Sequence, residues 1–402
     1  MRVPLAVVGL NDLDIENVLK VLRSGKLTMG DNVAKFEIAM SEYLGVNHFI
    51  MVNSGSSANL LIFESLLRPL NRKPKLKIGD GVLVPAIAWP TSIWPIIQLG
   101  LIPIFVDVTR DTFALDLTSA SRAISQSEVP VKAIFPIHPL GFAIDQDELN
   151  GFAQENSLIL VNDVCESLGS WNRGLHAGTS GIAASFSFYF SHHITTMEGG
   201  GIATNDPELA DDLRSMRSHG WSRDRLIPVK TDRQLSGPES KFQFVTTGYN
   251  VRPTEIQAAI GLGQIQQIDE FIKKRKRLVA RVSESLEDTP LSLVVHKEIA
   301  RNLDAENHSW MMVPICVDEN LVSKQKIQNF LEENGIETRP VLTGNFLDQP
   351  VIKNLNGFIS NVRLDNANWV AKNCFLIGAH HDYSEDQIQY LTQVLSMTRG
   401  IK

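Results

Sequence analysis

The sequence of 402 residues contains only three cysteines, Cys165, Cys316 and Cys374, and no Cys-x-x-Cys pair. Three separated thiols provide no four-thiolate set for a zinc ion or an iron–sulfur cluster, and they suit a reducing cytoplasm. The first ten residues also lack the basic and apolar segments of a signal peptide, so we expect a cytoplasmic protein. The formal net charge of -7 and the pI near 5.8 argue against a nucleic-acid binder.

Long uncharged runs are scarce, and the one that needs a membrane test covers residues 82–106. Its length alone could span a bilayer. Four prolines interrupt it, however, at Pro85, Pro90, Pro95 and Pro103. Because proline breaks helices, we predict a buried strand, a short helix and a second strand, and no membrane association.

The order of apolar segments predicts an α/β protein. Short apolar strands are expected at 48–52, 104–107, 133–137 and 158–161, with helices between them. This alternation is typical of a mainly parallel mixed sheet flanked by helices, and the length of the chain predicts a second domain. We therefore expect a large domain at residues 1–265. Residues 266–402 are expected to form a long connecting helix and a smaller C-terminal α/β domain.

Two segments near the predicted boundary have their own signals. Pro253 and Thr254 are typical of a helix start, and we predict one helix from there to about Glu287 that connects the two domains. The polar stretch 220–240, which contains glycine and proline, is predicted to be a mobile surface loop.

Two strand ends have polar residues suited to ligands. Residues 53–57 (Asn-Ser-Gly-Ser-Ser) join a strand to a helix, and this is either an anion site or an ordinary helix cap. Asp163 and Glu166 follow the strand at 158–161. Ligands of parallel sheets bind beyond the carboxyl ends of the strands, so both are candidates, although Asp163 could also be a simple loop or cap aspartate.

The stretch Ser185–Asp206 combines an aromatic strand, the pair His192 and His193, three consecutive glycines and a second β-like segment. A strand that leads into such a loop presents side chains to a site, and the two imidazoles indicate proton chemistry. His193 could orient a substrate or protonate a leaving group. Its ring could equally point away from the site, and we favour a structural role.

Several ordered motifs together resemble one family. They are Gly55-Ser-Ser57, Trp89, Asp163 with Glu166, Ser187 before the run Ser191-His-His-Ile-Thr-Thr-Met-Glu-Gly-Gly200, and Gly248-Tyr-Asn250-Val-Arg-Pro-Thr-Glu255. This set resembles the DegT/DnrJ/EryC1/StrS family of sugar aminotransferases. The resemblance implies the pyridoxal phosphate (PLP)-dependent transferase fold of the aspartate aminotransferase type, type I.

At the position of His192 the family usually has a lysine, and this lysine forms a Schiff base with PLP. Histidine there is the mark of a branch of PLP-dependent sugar 3-dehydratases. The resemblance therefore implies PLP and pyridoxamine 5'-phosphate held noncovalently, with glutamate as the amine donor. The implied substrate is a nucleotide-linked 4-keto-6-deoxy sugar, and GDP-4-keto-6-deoxy-D-mannose is favoured. His192 would take a proton, the C3 hydroxyl would leave as water, and ammonia would be released during deoxysugar (colitose-type, O-antigen) biosynthesis.

The resemblance implies one role for each of the other site residues. These roles are a partner for the pyridine nitrogen (Asp163), phosphate contacts (Gly55, Ser56 and Ser187), a phosphate contact from the neighbouring subunit (Asn250), ring stacking (Trp89) and a place near the ring hydroxyl (Glu166). The role of Asn250 implies a homodimer with shared active sites.

Three other functions remain open. The first is a nucleotide-sugar aminotransferase of the same family that works with another base. The second is a lysine-less relative that binds the cofactor without catalysis. The third is a metal-dependent hydrolase, although the available side chains have no recognised ligand spacing: His138, His176, His192, His193, His219 and Asp163.

Overall fold

The computed structural model describes residues 1–7, 9–70, 72–227, 237–295, 297–355 and 363–401. Its α-helices are α1 Asp12–Ser24, α2 Asp31–Leu44, α3 Gly55–Leu67, α4 Pro90–Gln98, α5 Leu117–Gln126, α6 Gln146–Glu155, α7 Pro207–Met216, α8 Glu255–Ile265, α9 Ile268–Ser285, α10 Lys297–Arg301, α11 Lys324–Glu333, α12 Asp365–Asn373 and α13 Glu385–Met397. Its strands are β1 His48–Val52, β2 Gly81–Pro85, β3 Ile102–Val106, β4 Val131–Ile134, β5 Ile159–Asp163, β6 Trp171–Asn172, β7 Leu175–His176, β8 Ala183–Ser187, β9 Gly200–Thr204, β10 Leu291–Leu293, β11 Met312–Val317, β12 Thr338–Pro340 and β13 Cys374–Gly378.

A seven-stranded sheet of order β1-β9-β8-β5-β4-β2-β3 forms the centre of the larger part of the molecule. The pairs from β3 through β2, β4 and β5 to β8 are parallel, and β9 runs antiparallel to both of its neighbours. This is the predicted mainly parallel mixed sheet. Most residues of its strands are buried, as expected of a parallel sheet with helices on both faces. The carboxyl ends of six strands consequently lie at the same edge.

A second sheet, of order β10-β11-β13-β12, is antiparallel throughout. Its core includes apolar residues from α9, α11 and α13. The buried side of α9 therefore packs against this second sheet. The predicted division into residues 1–265 and 266–402 stays a prediction.

The uncharged segment 82–106 is β2, α4 and β3, as predicted. Pro90 occupies the first turn of α4, where its missing N–H costs no hydrogen bond. None of the described helices is long and apolar enough to cross a membrane.

The predicted helix from Thr254 to Glu287 is wrong in its length, because the segment forms two helices, α8 and α9. Thr254 caps α8 as expected, and its hydroxyl accepts a hydrogen bond from the N–H of Gln257. The break falls at Gln266 and Gln267, where the Gln267 side chain donates to the Gly263 carbonyl. A side-chain donor thus replaces a backbone N–H that a continuous helix would have supplied. Nothing in the local sequence marks this position with glycine or proline.

The predicted loop at 220–240 lies partly outside the described residues, because 228–236 are not described. On its described side, backbone hydrogen bonds join Ser222 to Gln243 and Val245 to Gly220. These hydrogen bonds join residues 220–222 to residues 243–245.

The strand expected to run up to His192 ends earlier, because β8 stops at Ser187. The chain then forms a loop that returns to β9, which pairs antiparallel with β8. Gly200 opens β9 directly against the start of α3: a Cβ there would lie 2.3 Å from the Ser54 carbonyl carbon and 2.4 Å from the Gly55 nitrogen. Only glycine allows this close approach.

We predict that Gly200→Ala lowers the free energy of unfolding by about 1 to 3 kcal/mol, because the new methyl group overlaps backbone atoms that cannot move without shifting α3. Urea unfolding followed by circular dichroism measures the effect. Gly151→Ala is the matched control: this glycine lies inside α6 with open space around it, and alanine should stabilise the helix by about 0.5 to 1 kcal/mol. Equal stability of the two variants would contradict the close-packing argument.

Candidate active site

A cavity of about 560 Å³ opens at the edge where the parallel strands end. The ends of β5 and β8 and the start of α3 form one side. Residues of the second sheet, such as Met312 and Arg339, form the other side together with Met311, which precedes β11. The cavity brings together seven of the eight residues that the sequence indicated: Gly55, Ser56, Trp89, Asp163, Glu166, Ser187 and His192.

The first turn of α3 faces the cavity with Ser54, Gly55 and Ser56. The Ser54 hydroxyl caps the helix by accepting a hydrogen bond from the N–H of Ser57 at 3.1 Å. The N–H groups of Gly55 and Ser56 are the remaining donors of this turn, and the helix dipole adds partial positive charge. A Cβ at Gly55 would lie 2.8 Å from both Cys165 Sγ and Ser187 Cβ, so glycine is needed to bring the turn this close to β8. The first turn of α3 therefore lies directly beside Ser187. The anion site at this turn stays a prediction.

Asp163 ends β5 as a buried carboxylate with only 4% of its surface exposed. Its Oδ2 accepts hydrogen bonds from Asn59 Nδ2 at 3.0 Å and from Ser92 Oγ at 2.7 Å, and its Oδ1 accepts one from the N–H of Cys165 at 3.0 Å. Three hydrogen-bond donors thus hold both carboxylate oxygens of Asp163 in one orientation. Such a carboxylate can hold a proton on a nitrogen of a bound ring.

Glu166 lies on the same wall and is also buried. Its Oε2 accepts a hydrogen bond from the N–H of Leu140 at 3.0 Å. Burial raises the pKa of Glu166 to about 7, although the Leu140 hydrogen bond and the charge of Arg339 act in the opposite direction. The side chain can therefore donate or accept a proton near neutral pH.

His192 lies in the loop between β8 and β9, and its half-buried ring lines the cavity. Its backbone N–H donates to the Tyr189 carbonyl at 3.0 Å. Burial lowers the pKa of His192 to about 3, with smaller contributions in the same direction from Arg275 and Arg339. The imidazole is consequently neutral at pH 7 and available as a base. Its Nδ1 is buried and has no hydrogen-bond partner among the described residues.

His193 points away from the cavity and is fully buried. Its Nε2 shares a hydrogen bond of 2.8 Å with the Ser309 hydroxyl, which in turn accepts one from Ser170 at 2.7 Å. Burial lowers the pKa of His193 well below the ordinary value. Its contacts connect the loop to the segment before β11, which fits the structural role favoured above.

Trp89 is the residue before α4, and 49% of its surface is exposed at the mouth of the cavity. The guanidinium of Arg339 lies 5.5 Å from the centre of its ring, a distance typical of a cation–π contact. An aromatic face of this size can stack on a flat ligand.

Asn250 is the one predicted site residue that lies outside the cavity. It is exposed, it forms an antiparallel bridge with Ser218, and its Oδ1 accepts a hydrogen bond from Arg252 Nε at 3.1 Å. Within a single chain, Asn250 therefore contributes nothing to this cavity.

Sequence reasoning missed the side chains that hold Asp163, namely Asn59 and Ser92. A signal existed for Asn59, which is a polar residue among the mostly apolar buried residues of α3. It also gave no role to Arg339 in β12 or to Glu337 just before it, and both line the cavity.

The histidines of the metal-hydrolase alternative do not form a common site. His138 hydrogen-bonds Asn162 and the N–H of Ile144, whereas His176 hydrogen-bonds the N–H of Gly169 and the Ala177 carbonyl. Within the described ranges, one group of three or more His, Cys, Asp or Glu side chains is close enough together to hold an ion: His380, His381 and Asp382. None of these three belongs to the set named for the metal-hydrolase alternative.

Comparisons with known proteins match the family that the sequence motifs resemble. The sequence profile of the DegT/DnrJ/EryC1/StrS aminotransferase family matches residues 10–396. A GDP-4-keto-6-deoxy-D-mannose 3-dehydratase of Escherichia coli O55:H7 is 36% identical over 399 residues, which cover 98% of this chain and 99% of the relative. A dTDP-4-dehydro-2,6-dideoxy-D-glucose 3-dehydratase of Saccharopolyspora spinosa is 32% identical over 382 residues, with coverage of 92% and 81%.

A crystal structure of a GDP-4-keto-6-deoxymannose-3-dehydratase with a trapped PLP-glutamate geminal diamine aligns with a TM-score of 0.88. The two chains are 35% identical, and the alignment covers 98% of this chain and 100% of the other. The predicted fold, that of the PLP-dependent transferases of the aspartate aminotransferase type, is thereby confirmed.

We predict that Glu166 titrates with a midpoint near pH 7, protonated below it and ionised above it, because burial raises its pKa. Infrared difference spectra recorded across the neutral range should show the protonated carboxylic acid band disappear as the pH rises. Glu166→Gln should lack this component, whereas Asp163→Asn should retain it. A titration that survives in Glu166→Gln would assign the proton to another carboxyl group.

Proposed function

Because the chain belongs to the DegT/DnrJ/EryC1/StrS aminotransferase family, we propose that it is a PLP-dependent 3-dehydratase of a nucleotide-linked 4-keto-6-deoxy sugar in deoxysugar biosynthesis. GDP-4-keto-6-deoxy-D-mannose is the favoured substrate, since the relative from Escherichia coli O55:H7 is named for it. The dTDP-sugar relative, at 32% identity, makes the nucleotide the point to test first.

The observation that carries this proposal is the imidazole of His192 in the cavity. By sequence resemblance, His192 stands where most of the family has its cofactor lysine, and among the described residues that line the cavity none is a lysine. An imidazole forms no stable covalent link to an aldehyde. It can, however, take a proton from carbon and return it, as a dehydratase requires.

The residues of the cavity fit PLP. The first turn of α3 and Ser187 form a cradle for a phosphate, which is the site that a helix N-terminus favours. The Asp163 carboxylate can hold a proton on the ring nitrogen, and Trp89 can cover one face of the ring. When bound, PLP carries the amino group of glutamate and withdraws electrons from the bonds next to it.

The chemistry of the chain itself then rests on two side chains. Burial lowers the pKa of His192 to about 3 and keeps its imidazole neutral. The imidazole would take a proton from carbon, and this removal would allow the C3 hydroxyl of the sugar to leave as water. Glu166, with a pKa of about 7, can share a proton with a ring hydroxyl. Residues of the second sheet line the other side of the cavity.

A homodimer completes this proposal. Asn250 lies outside its own chain's cavity, so its expected phosphate contact requires a second copy of the chain. Large apolar side chains are exposed near the same segment and near the cavity mouth: Tyr189, Phe190, Phe242 and Phe244. An exposed set of this kind fits an interface between copies. The three free cysteines fit a cytoplasmic enzyme.

Incubation of the protein with PLP, glutamate and GDP-4-keto-6-deoxy-D-mannose tests the function. We expect a sugar nucleotide that has lost the C3 oxygen, together with 2-oxoglutarate and ammonia, in mass spectrometry and coupled assays. A product that has gained nitrogen would identify an aminotransferase instead. No turnover of GDP- or dTDP-linked 4-keto sugars would favour a non-catalytic cofactor binder.

His192→Asn is the control for the base. We expect it to bind the cofactor normally, measured by absorbance, and to lose at least about 100-fold in kcat, because general-base catalysis contributes about 10²- to 10⁴-fold. Retained turnover would remove His192 from this role.

Mixed dimers test the shared site. His192→Asn and Asn250→Ala should each be inactive alone, but a mixed dimer would contain one site with both native residues. After unfolding and reassembly of an equal mixture, about one quarter of the native activity should return, since about half of the dimers are mixed and each has one intact site. If Asn250 served its own chain, the mixture would stay inactive.

A further inference from the structure

Arg275 is a charged side chain in a place where an apolar one is expected. It lies on α9 and is fully buried, on the same face as Phe271, Ile272 and Leu278. In the described part of the chain, no carboxylate lies within ion-pair distance of its guanidinium. A buried charge without a carboxylate is costly unless hydrogen bonds to the guanidinium replace the lost water.

The guanidinium uses its donors on backbone carbonyls from separate segments. Nη1 donates to the carbonyls of Trp310, Met311 and Ala379 at 3.0 to 3.2 Å. Nη2 donates to the carbonyl of His192 at 3.1 Å and lies 3.4 Å from Nδ1 of His381. The segments before β11 and after β13 are thus joined to the loop between β8 and β9.

Two of these partners belong to opposite walls of the active-site cavity. Met311 lines the cavity from the segment before β11, and His192 lines it from the loop between β8 and β9. The N–H of His192 is already bonded to Tyr189, so the contact with Arg275 leaves neither backbone polar group of His192 free. The direction of the His192 side chain follows from the orientation of this backbone.

We propose that Arg275 is a positioning residue for His192: its guanidinium holds the His192 carbonyl against the second sheet and so keeps the imidazole directed into the cavity. This inference rests on the proposed role of His192 as the base. A planar fork with several donors suits this task, because it fixes carbonyls from several segments at once, whereas an ammonium is a single point charge.

The charge of Arg275 acts on the imidazole in the same sense. Together with burial and Arg339, it disfavours the protonated ring of His192 and keeps the base neutral. The other charged groups that line the cavity, and that a pH profile also reports, are Asp163, Glu166, Glu198, Glu337 and Arg339.

Two variants separate position from charge. Arg275→Met fills the same space without donors, and we expect kcat to fall by about 10- to 100-fold with little change in KM, because misplacement of a catalytic group by about 1 Å costs this much. Arg275→Lys keeps the charge but not the planar guanidinium with its several donors, and it should recover part of kcat.

Asp107→Asn is the matched control, because the buried carboxylate of Asp107 joins the end of β3 to the N–H groups of Asn366 and Ala367 without contacting His192. It should lower the melting temperature but leave kcat within about twofold.

A labelling experiment on the protein without substrate tests the inference independently of turnover. Diethyl pyrocarbonate reacts with neutral imidazole, and mass spectrometry of peptides reports the modification of His192. In the native protein its rate should change little as the pH falls from neutral into the acid range, whereas in Arg275→Met it should fall several-fold because the ring protonates more readily.

The outcomes are distinct. Two results together support the inference. Arg275→Met loses more kcat than Asp107→Asn at equal melting temperature, and its labelling of His192 becomes dependent on pH. Native kcat in Arg275→Met, or labelling of His192 unchanged by it, overturns it. If the native protein dehydrates no sugar but the labelling of His192 still depends on Arg275, the positioning role stands and the proposed function fails.

Discussion

The common edge of the parallel strands governs the functional part of this structure. Because β5 and β8 end side by side, Asp163 and Ser187 meet there, and the start of α3 joins them. Two glycines, Gly55 and Gly200, allow α3 to lie this close to the strands, because a side chain at either position would overlap neighbouring atoms. The first turn of α3, the buried Asp163 carboxylate and the loop of His192 lie together because of this one arrangement of strands.

The buried polar groups around that edge are stabilised in pairs and networks rather than by solvent. Asp163 depends on Asn59 and Ser92, His193 on Ser309, and Arg275 on four backbone carbonyls. Each of these contacts joins residues distant in the chain. Such networks cost stability when one member is removed, and they define one geometry when complete. The position of His192 thus depends on distant parts of the chain, since its backbone is held by Tyr189 of its own loop and by Arg275 of α9.

The chemistry of the site depends on how burial shifts the pKa values of two common side chains, a histidine and a glutamate. Burial lowers the pKa of His192 to about 3 and raises that of Glu166 to about 7. A neutral base and a titratable acid therefore lie in one cavity at neutral pH, a combination that proton transfer requires. A lysine at the position of His192 would instead offer a covalent attachment. The exchange of one residue type changes what the same cavity can do.

Much of the architecture could be predicted because it depends on local patterns. The apolar runs indicated the alternating strands and helices, Thr254 the start of α8, and the prolines of 82–106 the β2–α4–β3 unit. The break between α8 and α9 could not be predicted, because it depends on side-chain contacts such as that of Gln267 with Gly263 rather than on a breaker residue. Arg275 was hidden among neighbouring basic residues, although its spacing from Phe271 and Leu278 placed it on the apolar face.

The sequence by itself determined which chemical groups are present: an imidazole in the place of a lysine, a carboxylate after β5, and small residues at the start of α3. These identities are local, and a motif preserves them without reference to the rest of the chain. Only the tertiary structure decided their geometry. It directed His192 into the cavity and His193 away from it, left Asn250 outside, and placed Arg275 behind the base. The reason is that side-chain direction and burial depend on packing between distant segments, which no local pattern contains.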